Sequence, residues 1–259
     1  METLAERKPA GITGNALRNW GMFFMTLGVL GQSVLENRLL EMGQISMQQL
    51  LDRMQSSGST MMYATLALLF QAAATCAVPI FAFLLVEGMT HTHDFFRYLL
   101  RVLGVGVLSE LPYNLAVSGK LMDSSGRNPA LALAVGLVML YFMMHFQENS
   151  FRNVLIKILV AAAALAWGWM LRIEGNVQMV LILTVLWIFR QKPLYRNFAG
   201  ATASIVCSAV SPFYLASPMG FLVIHFYNGK REEGENRIFA YLFYPVMLLA
   251  VGMIAKYIL

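Results

Sequence analysis

Charge is what this 259-residue chain has little of: Asp, Glu, Lys and Arg make up 13% of it, against ~25% in an average soluble domain. A soluble globule covers its surface with such groups, and 19 Lys+Arg with 14 Asp+Glu cannot screen 17 Phe and 18 Met. Cysteine is scarce as well. Cys76 and Cys207 sit in separate apolar runs at no metal or redox spacing, which excludes a disulfide framework and leaves the redox compartment undetermined. Only four histidines are present, and the closest pair, His91 and His93, has no further ligands nearby to complete a zinc site, so no metal is expected. Nucleic acid is not an expected partner either; the net charge of +5 reads first as membrane topology.

What is there is apolar: 58% of the residues are hydrophobic, in long runs. In a bilayer the backbone must satisfy itself, so such runs predict helices. The expected architecture is all-α, a polytopic transmembrane helical bundle forming one integral membrane domain over residues 1–259. Met1 to Lys8 is polar and no small-residue cleavage site follows the first apolar run, so that run reads as a retained span.

The first span is expected from about Asn19 to Leu35. From Glu36 to Thr60, apolar residues including Leu39, Leu40, Met47, Leu50, Leu51 and Met54 recur at near-helical spacing, predicting an amphipathic segment in the interface over 36–60. The second span, about Met61 to Val86, contains Pro79, which removes a backbone donor and should kink it. Further spans centre near Gly106, Leu137, Ala162 and Leu183, and the last runs from about Ile238 to Ile258. The stretch Phe198 to Tyr227, with Ser211-Pro212 and Ser217-Pro218 inside it, reads as one broken span or two short ones. Two crossings make about nine spans. One side then carries Arg7, Lys8, Arg97, Arg101, Arg152, Lys157, Arg190, Lys192, Arg196 and Arg231 among others, and the other only Arg38, Arg53, Lys120, Arg127, Arg172 and Lys256. A single crossing would nearly erase that asymmetry, so the positive-inside rule favours nine spans with the N-terminus cytoplasmic.

Ionisable groups inside spans are costly and therefore functional candidates. Glu110 lies in Ser109-Glu110-Leu111-Pro112-Tyr113-Asn114, with Asn114 one helical turn on and Pro112 freeing a carbonyl close by. Glu110 reads as a base or orienting carboxylate, or as a carboxylate bound to a neighbouring helix. The densest polar cluster is Glu87-Gly88-Met89-Thr90-His91-Thr92-His93-Asp94, followed by Arg97, Tyr98 and Arg101. It reads as a solvated loop, or as a site in which Arg97 and Arg101, one turn apart, receive a phosphate or anionic headgroup.

These blocks resemble the signature of the TraX family of membrane acetyltransferases. The resemblance rests on Pro79 to Gly88, His91-Thr92, Tyr98 to Arg101 and Ser109 to Asn114, with Thr13-Gly14-Asn15, Tyr227-Asn228-Gly229-Lys230 and Tyr241-Leu242-Phe243-Tyr244-Pro245 in the same order. The family's named member acetylates the amino terminus of conjugative pilin, and the family is similar in organisation to acyltransferases that use acetyl-CoA. The resemblance implies an acyltransferase-like bundle in a bacterial cell membrane, acetyl-CoA on the cytoplasmic side, a protein or small-molecule acceptor bearing an amine or hydroxyl, and lipid around it. It implies donor-binding roles for Arg97, Arg101 and Glu87, and catalytic roles for Glu110 and His91. Asn114 is a further polar site residue, as is Glu174, which stands where the family has an acidic residue between the fifth and sixth spans.

The chain departs from the family at two places. Family members usually have an Asp-His pair late in the first span and a His two residues after the Tyr-Pro of the last; here Gly28-Val29 and Met247 stand there. An imidazole would be the obvious general base for an attacking amine or hydroxyl. Either another group serves instead, or the chain is a catalytically silent relative that binds or scaffolds in the membrane.

Overall fold

The computed structural model describes residues 11–146, 148, 150–230 and 237–258; Arg7, Lys8 and Arg231, used in the topology expectation, lie outside them. Among the described residues the regular structure is helical: α1 (Gly14–Leu30), α2 (Met47–Ser56), α3 (Gly58–Thr75), α4 (Ala77–His91), α5 (Phe95–Leu108), α6 (Glu110–Ser118), α7 (Ala130–Met144), α8 (Phe151–Met170), α9 (Asn176–Ile188), α10 (Pro193–Val206), α11 (Met219–His225) and α12 (Arg237–Tyr257). Four segments are long and apolar enough to cross a membrane: Gly58–His91, Phe95–Ser118, Phe151–Met170 and Phe239–Tyr257. The apolar helices α7 and α9 are shorter, about 20–22 Å at 1.5 Å per residue.

Local chemistry sets the helix ends. Thr13 caps α1 by accepting the N–H of Ala16 at 3.3 Å, Asp94 caps α5 through Arg97 N at 3.0 Å, and Ser150 caps α8 through Asn153 N at 3.3 Å. Ser46 and Gln49 form a reciprocal capping box at the start of α2. Each of the first two interior prolines sits just after a helix break. Pro79 cannot donate to the carbonyl of Thr75, and α3 gives way to α4 at Cys76; Pro112 cannot donate to Leu108, and α5 gives way to α6 at Ser109. Pro245 is carried inside α12.

The first helix is longer than the expected Asn19–Leu35, because Gly31–Leu39 continues α1 as a π-helix. The expected amphipathic segment over 36–60 is consequently split. Only Met47–Ser56 forms a separate amphipathic helix, with Leu40 and Leu50 buried against Ala64 and Ala67 while Leu39 and Leu51 stay exposed. The ambiguous stretch is a hairpin. It leaves in α10, turns through two short 3₁₀ pieces (Cys207–Ala209 and Pro212–Ala216) and returns in α11. Both of its ends lie beside Glu87: Arg196 is within electrostatic reach of that carboxylate, and Tyr227 Oη donates to it at 3.4 Å. Its tip lies at the other end, where Tyr214 comes within electrostatic reach of Glu174.

The core is an apolar layer of Ile80, Phe83, Leu137, Leu140, Leu183 and Leu186, contributed by α4, α7 and α9. Close packing relies on small residues, as is usual where helices meet without a strong hydrophobic drive. A Cβ on Gly136 would fall 2.2 Å from Leu183 Cδ1, and one on Gly28 would fall 2.4 Å from Ala74 Cβ. The second contact is the less forgiving, since Ala74 has no flexible end to move. Gly28→Ala should therefore destabilise the protein by ~1–3 kcal/mol in detergent unfolding, although alanine is the better helix former. Adding Ala74→Gly should recover much of the loss.

Candidate functional site

Two polar centres flank the apolar layer. At one end, α4 finishes with Glu87 and His91. The His91 Nδ1–H donates to the Glu87 carbonyl at 2.8 Å, which leaves Nε2 as the ring's acceptor on an exposed side chain. Arg196, half-buried, places its guanidinium 4.6 Å over the Phe83 ring near Glu87, and burial moves its pKa down while the Glu87 charge opposes that shift. The Tyr98 hydroxyl lies over Gly88, where a Cβ would meet it at 2.4 Å, so Gly88 is what admits the tyrosine.

Backbone pairing closes this end. Ile12 N donates to Phe226 O at 2.7 Å, Asn228 N to Ile12 O at 3.0 Å, and Gly14 N to Lys230 O at 2.9 Å. The motifs Thr13-Gly14-Asn15 and Tyr227-Asn228-Gly229-Lys230, more than 200 positions apart, thus form one strap over the Glu87 centre. Gly11, at φ 142°, has no room for a side chain: its Cβ would lie 2.7 Å from the Phe226 carbonyl. Arg97 is exposed and paired with Asp94 at 2.9 Å; Arg101 is exposed one turn further on.

The second centre sits at the opposite end, roughly 22 Å of helix rise beyond the start of α5. Glu110 Oε1 accepts from Arg127 Nη1 at 3.1 Å and Oε2 from the Asn128 N–H at 3.2 Å. Asn128 is fully buried, donating to Gly106 O at 3.2 Å and accepting from Ala130 N at 2.9 Å and from Tyr244 Oη at 2.7 Å. Tyr113 Oη donates to Glu174 Oε2 at 2.5 Å. Tyr113 and Tyr244 both lie within electrostatic reach of Glu110 and Glu174, which makes the four one cluster.

Two loops build this arrangement. Arg127 N donates to Arg172 O at 2.8 Å and Glu174 N to Arg127 O at 3.1 Å, so the loop before α7 and the loop before α9 pair as a short parallel bridge. Arg172 (φ 55°) and Gly175 (φ 67°) make the turn that presents Glu174. Gly126 leaves room for its carboxylate, since a Cβ there would lie 2.5 Å from Glu174 Oε1. Further out, Asp123 accepts the backbone N–H of Ser125, and these hydrogen bonds hold its carboxyl below the usual carboxylate range.

The structure therefore brings Glu110 and Glu174 to one end and Glu87, His91 and Arg97 to the other. Glu110 and His91 do not share a site. Asn114 is buried one turn from Glu110, and its carbonyl accepts from Ser118 at 2.9 Å. Sequence reasoning missed Arg196 and Tyr227 at the first centre and Tyr113, Arg127, Asn128 and Tyr244 at the second. Tyr113 and Tyr244 lie inside quoted motifs and could have been singled out; Arg127 and Asn128 belong to a loop with no pattern of its own.

The TraX protein family model matches residues 15–255. The chain belongs to the TraX family. No curated protein and no solved structure matches it. Family membership and the four long apolar segments mark a membrane protein. Val29 and Met247 pack in the same cluster as Tyr113 and Tyr244, together with Leu248 and Val251. Val29 and Met247 thus adjoin the Glu110–Glu174 centre, and their side chains there are apolar.

Removing the Tyr113 hydroxyl takes one hydrogen bond from a carboxylate on an exposed residue that water can also reach, which costs ~0.5–1.5 kcal/mol. Tyr113→Phe should lower unfolding stability by about that amount. In a double-mutant cycle with Glu174→Gln, the coupling should be of order 1 kcal/mol, whereas additive losses would show that the two side chains act separately.

Proposed function

We propose that this TraX protein is an acetyl- or acyltransferase-type membrane protein that takes acetyl from cytoplasmic acetyl-CoA and passes it to an amine or hydroxyl acceptor at the Glu110–Glu174 centre. The observation that carries the reading is the convergence of Tyr113, Glu174, Tyr244, Val29 and Met247 in one place. In this reading the fold crosses the membrane nine times in the manner of an acyltransferase, with the N-terminus and the Glu87 centre cytoplasmic. The hairpin of α10 and α11, with both ends beside Glu87, supports that parity, and the Lys and Arg asymmetry supports the orientation.

The donor's phosphates are assigned to Arg97 and Arg101, with Arg196 and Glu87 behind them. Glu174 is the better base than His91, because His91 is at the far end while Glu174 is exposed to an acceptor and hydrogen-bonded to Tyr113. Glu110 is engaged by Arg127 and Asn128 and serves as their anchor. In the transfer, the acceptor's nitrogen or oxygen attacks the thioester carbonyl. The C–S bond breaks, the acceptor's proton passes to the base, and the coenzyme thiolate is then protonated. For that attack the thioester-bearing arm of the coenzyme has to reach from the Glu87 end past the layer of Phe83, Leu140 and Leu183, beside which the α10–α11 hairpin is the least regular element.

A second reading rests on the resemblance alone. Val29 and Met247 make apolar contacts at positions where the resemblance implies imidazoles. A silent relative would keep the fold and the polar anchors and transfer nothing.

Labelled acetyl-CoA on purified protein separates the two. On the first reading acetyl-CoA binds, Arg97→Ala with Arg101→Ala weakens binding roughly tenfold, in keeping with the loss of charge-assisted contacts by exposed side chains, and Glu174→Gln abolishes transfer while leaving binding. Absence of binding by the unmodified protein would overturn it. On the second reading, transfer appears only when Gly28→Asp and Val29→His are introduced, and Ala74→Gly must accompany them because Gly28 has no space for a side chain. Topology is checked independently: a reporter at the N-terminus should read cytoplasm and one after Leu259 the opposite side.

A further inference from the structure

Between α9 and α10, at the Glu87 end, two cations stand with no carboxylate among the described residues. Arg190 is half-buried. Its guanidinium lies 4.1 Å over the ring of Trp187, and Nη1 donates to the Trp187 carbonyl at 2.9 Å. Trp187 is itself part of the core at 5% exposure, so the platform under the arginine is fixed. Lys192, two residues on, holds its ammonium 5.7 Å from the Tyr195 ring on an exposed side chain. Arg53, Arg97 and Arg127 meet Glu41, Asp94 and Glu110; Arg190 is instead half-buried against an indole and a carbonyl. Burial moves the Arg190 pKa down with no acid to oppose the shift.

A partly desolvated guanidinium costs free energy unless an anion meets it. With one edge tied to a carbonyl and one face to an indole, the remaining N–H groups form a planar fork suited to phosphate oxygens, and Lys192 adds a second donor set on the same loop. The surroundings say where that phosphate comes from. Ile188, Leu194 and Phe198 are exposed apolar side chains beside the two cations, and Tyr195 is an exposed aromatic at the end of a helix. Basic residues with interfacial aromatics at the end of a membrane helix bind anionic headgroups, while the exposed apolar side chains accept the acyl chains.

We propose that Arg190 and Lys192 form a binding site for the phosphodiester of an anionic phospholipid, held on the Trp187 platform at the end of α9. The site is separate from Arg97 and Arg101 and does not depend on acyl transfer. Occupied, it ties the loop between α9 and α10 to the bilayer surface and so anchors the start of the hairpin.

Native mass spectrometry of the full-length protein in detergent, titrated with phosphatidylglycerol or phosphatidylcholine, tests this directly. Phosphatidylglycerol should be retained at roughly tenfold lower lipid concentration than phosphatidylcholine, as expected when two cations each favour an anionic lipid. Arg190→Gln with Lys192→Gln should bring the two lipids to parity. Arg152→Gln with Lys157→Gln, an equal change of charge on α8, should leave the preference intact. If the first pair fails to fold, Lys192→Gln alone carries the test, with a loss of about threefold. Equal loss in both pairs, or no loss in either, overturns the site. So does displacement of phosphatidylglycerol by millimolar inorganic phosphate, which would mean that free anion rather than lipid is held there.

Discussion

Glu110 holds one end of the molecule together. Its carboxylate takes the Arg127 guanidinium on one oxygen and the Asn128 N–H on the other. That second bond supplies an acceptor near the start of α7, where backbone donors have no helical partner, so the helix can begin below the ends of its longer neighbours. The rest of the centre follows from it. Asn128, drawn inside, is placed to meet Gly106 and Tyr244, and the backbone of Arg127 is placed to pair with the loop that carries Glu174. A carboxylate at membrane depth is expensive, but here its charge is met by Arg127 and its lone pairs by a side chain and a backbone N–H.

The same logic accounts for the two short helices. Neither α7 nor α9 reaches the length of the longer segments, and each is flanked by polar groups with fixed partners: Asn128 before α7, and Glu174 and Asn176 at the start of α9. Around them the packing is close enough that glycine is required where helices cross. Asn176 covers Gly168, Phe221 covers Gly200, and the Cys76 carbonyl approaches Gly220 at the break before α4. The hairpin of α10 and α11 is bound to this frame through buried hydroxyls, with Gln178 donating to Ser217 at 2.8 Å and Ser217 to Ser204 at 3.5 Å. Its tip is held to α3 and the following break by Thr75, which donates to the Phe213 carbonyl at 3.1 Å, and by Cys76, whose thiol lies 3.2 Å from the Ala216 carbonyl.

Space is tight where α1 passes α3. Gly28 lets the two helices approach at Ala74, since a Cβ there would fall 2.4 Å from the alanine methyl. Val29 and Met247 then extend the apolar cluster that backs Tyr113 and Tyr244. The carboxylates of Glu110 and Glu174 stand beside the phenols of Tyr113 and Tyr244 at this end.

Composition alone determined that the chain is helical and needs lipid, because apolar area and scarce charge leave no other solvent. Pro79 and Pro112 located two of the breaks, since a missing N–H acts on the residue four earlier wherever the chain folds. Glu110 was legible as a charge inside an apolar run, and the motif blocks carried the family. Tertiary structure decided the rest. That Glu110 is clamped by Arg127 and Asn128, that Glu174 meets Tyr113, and that His91 lies a bundle's length from Glu110 are all matters of distance between residues far apart in sequence. The stretch from Phe198 to Tyr227 was ambiguous because proline-broken apolar segments have the same pattern whether they continue or turn back. The turn between α10 and α11, and the placement of Arg196 and Tyr227 beside one carboxylate, Glu87, distinguish the two.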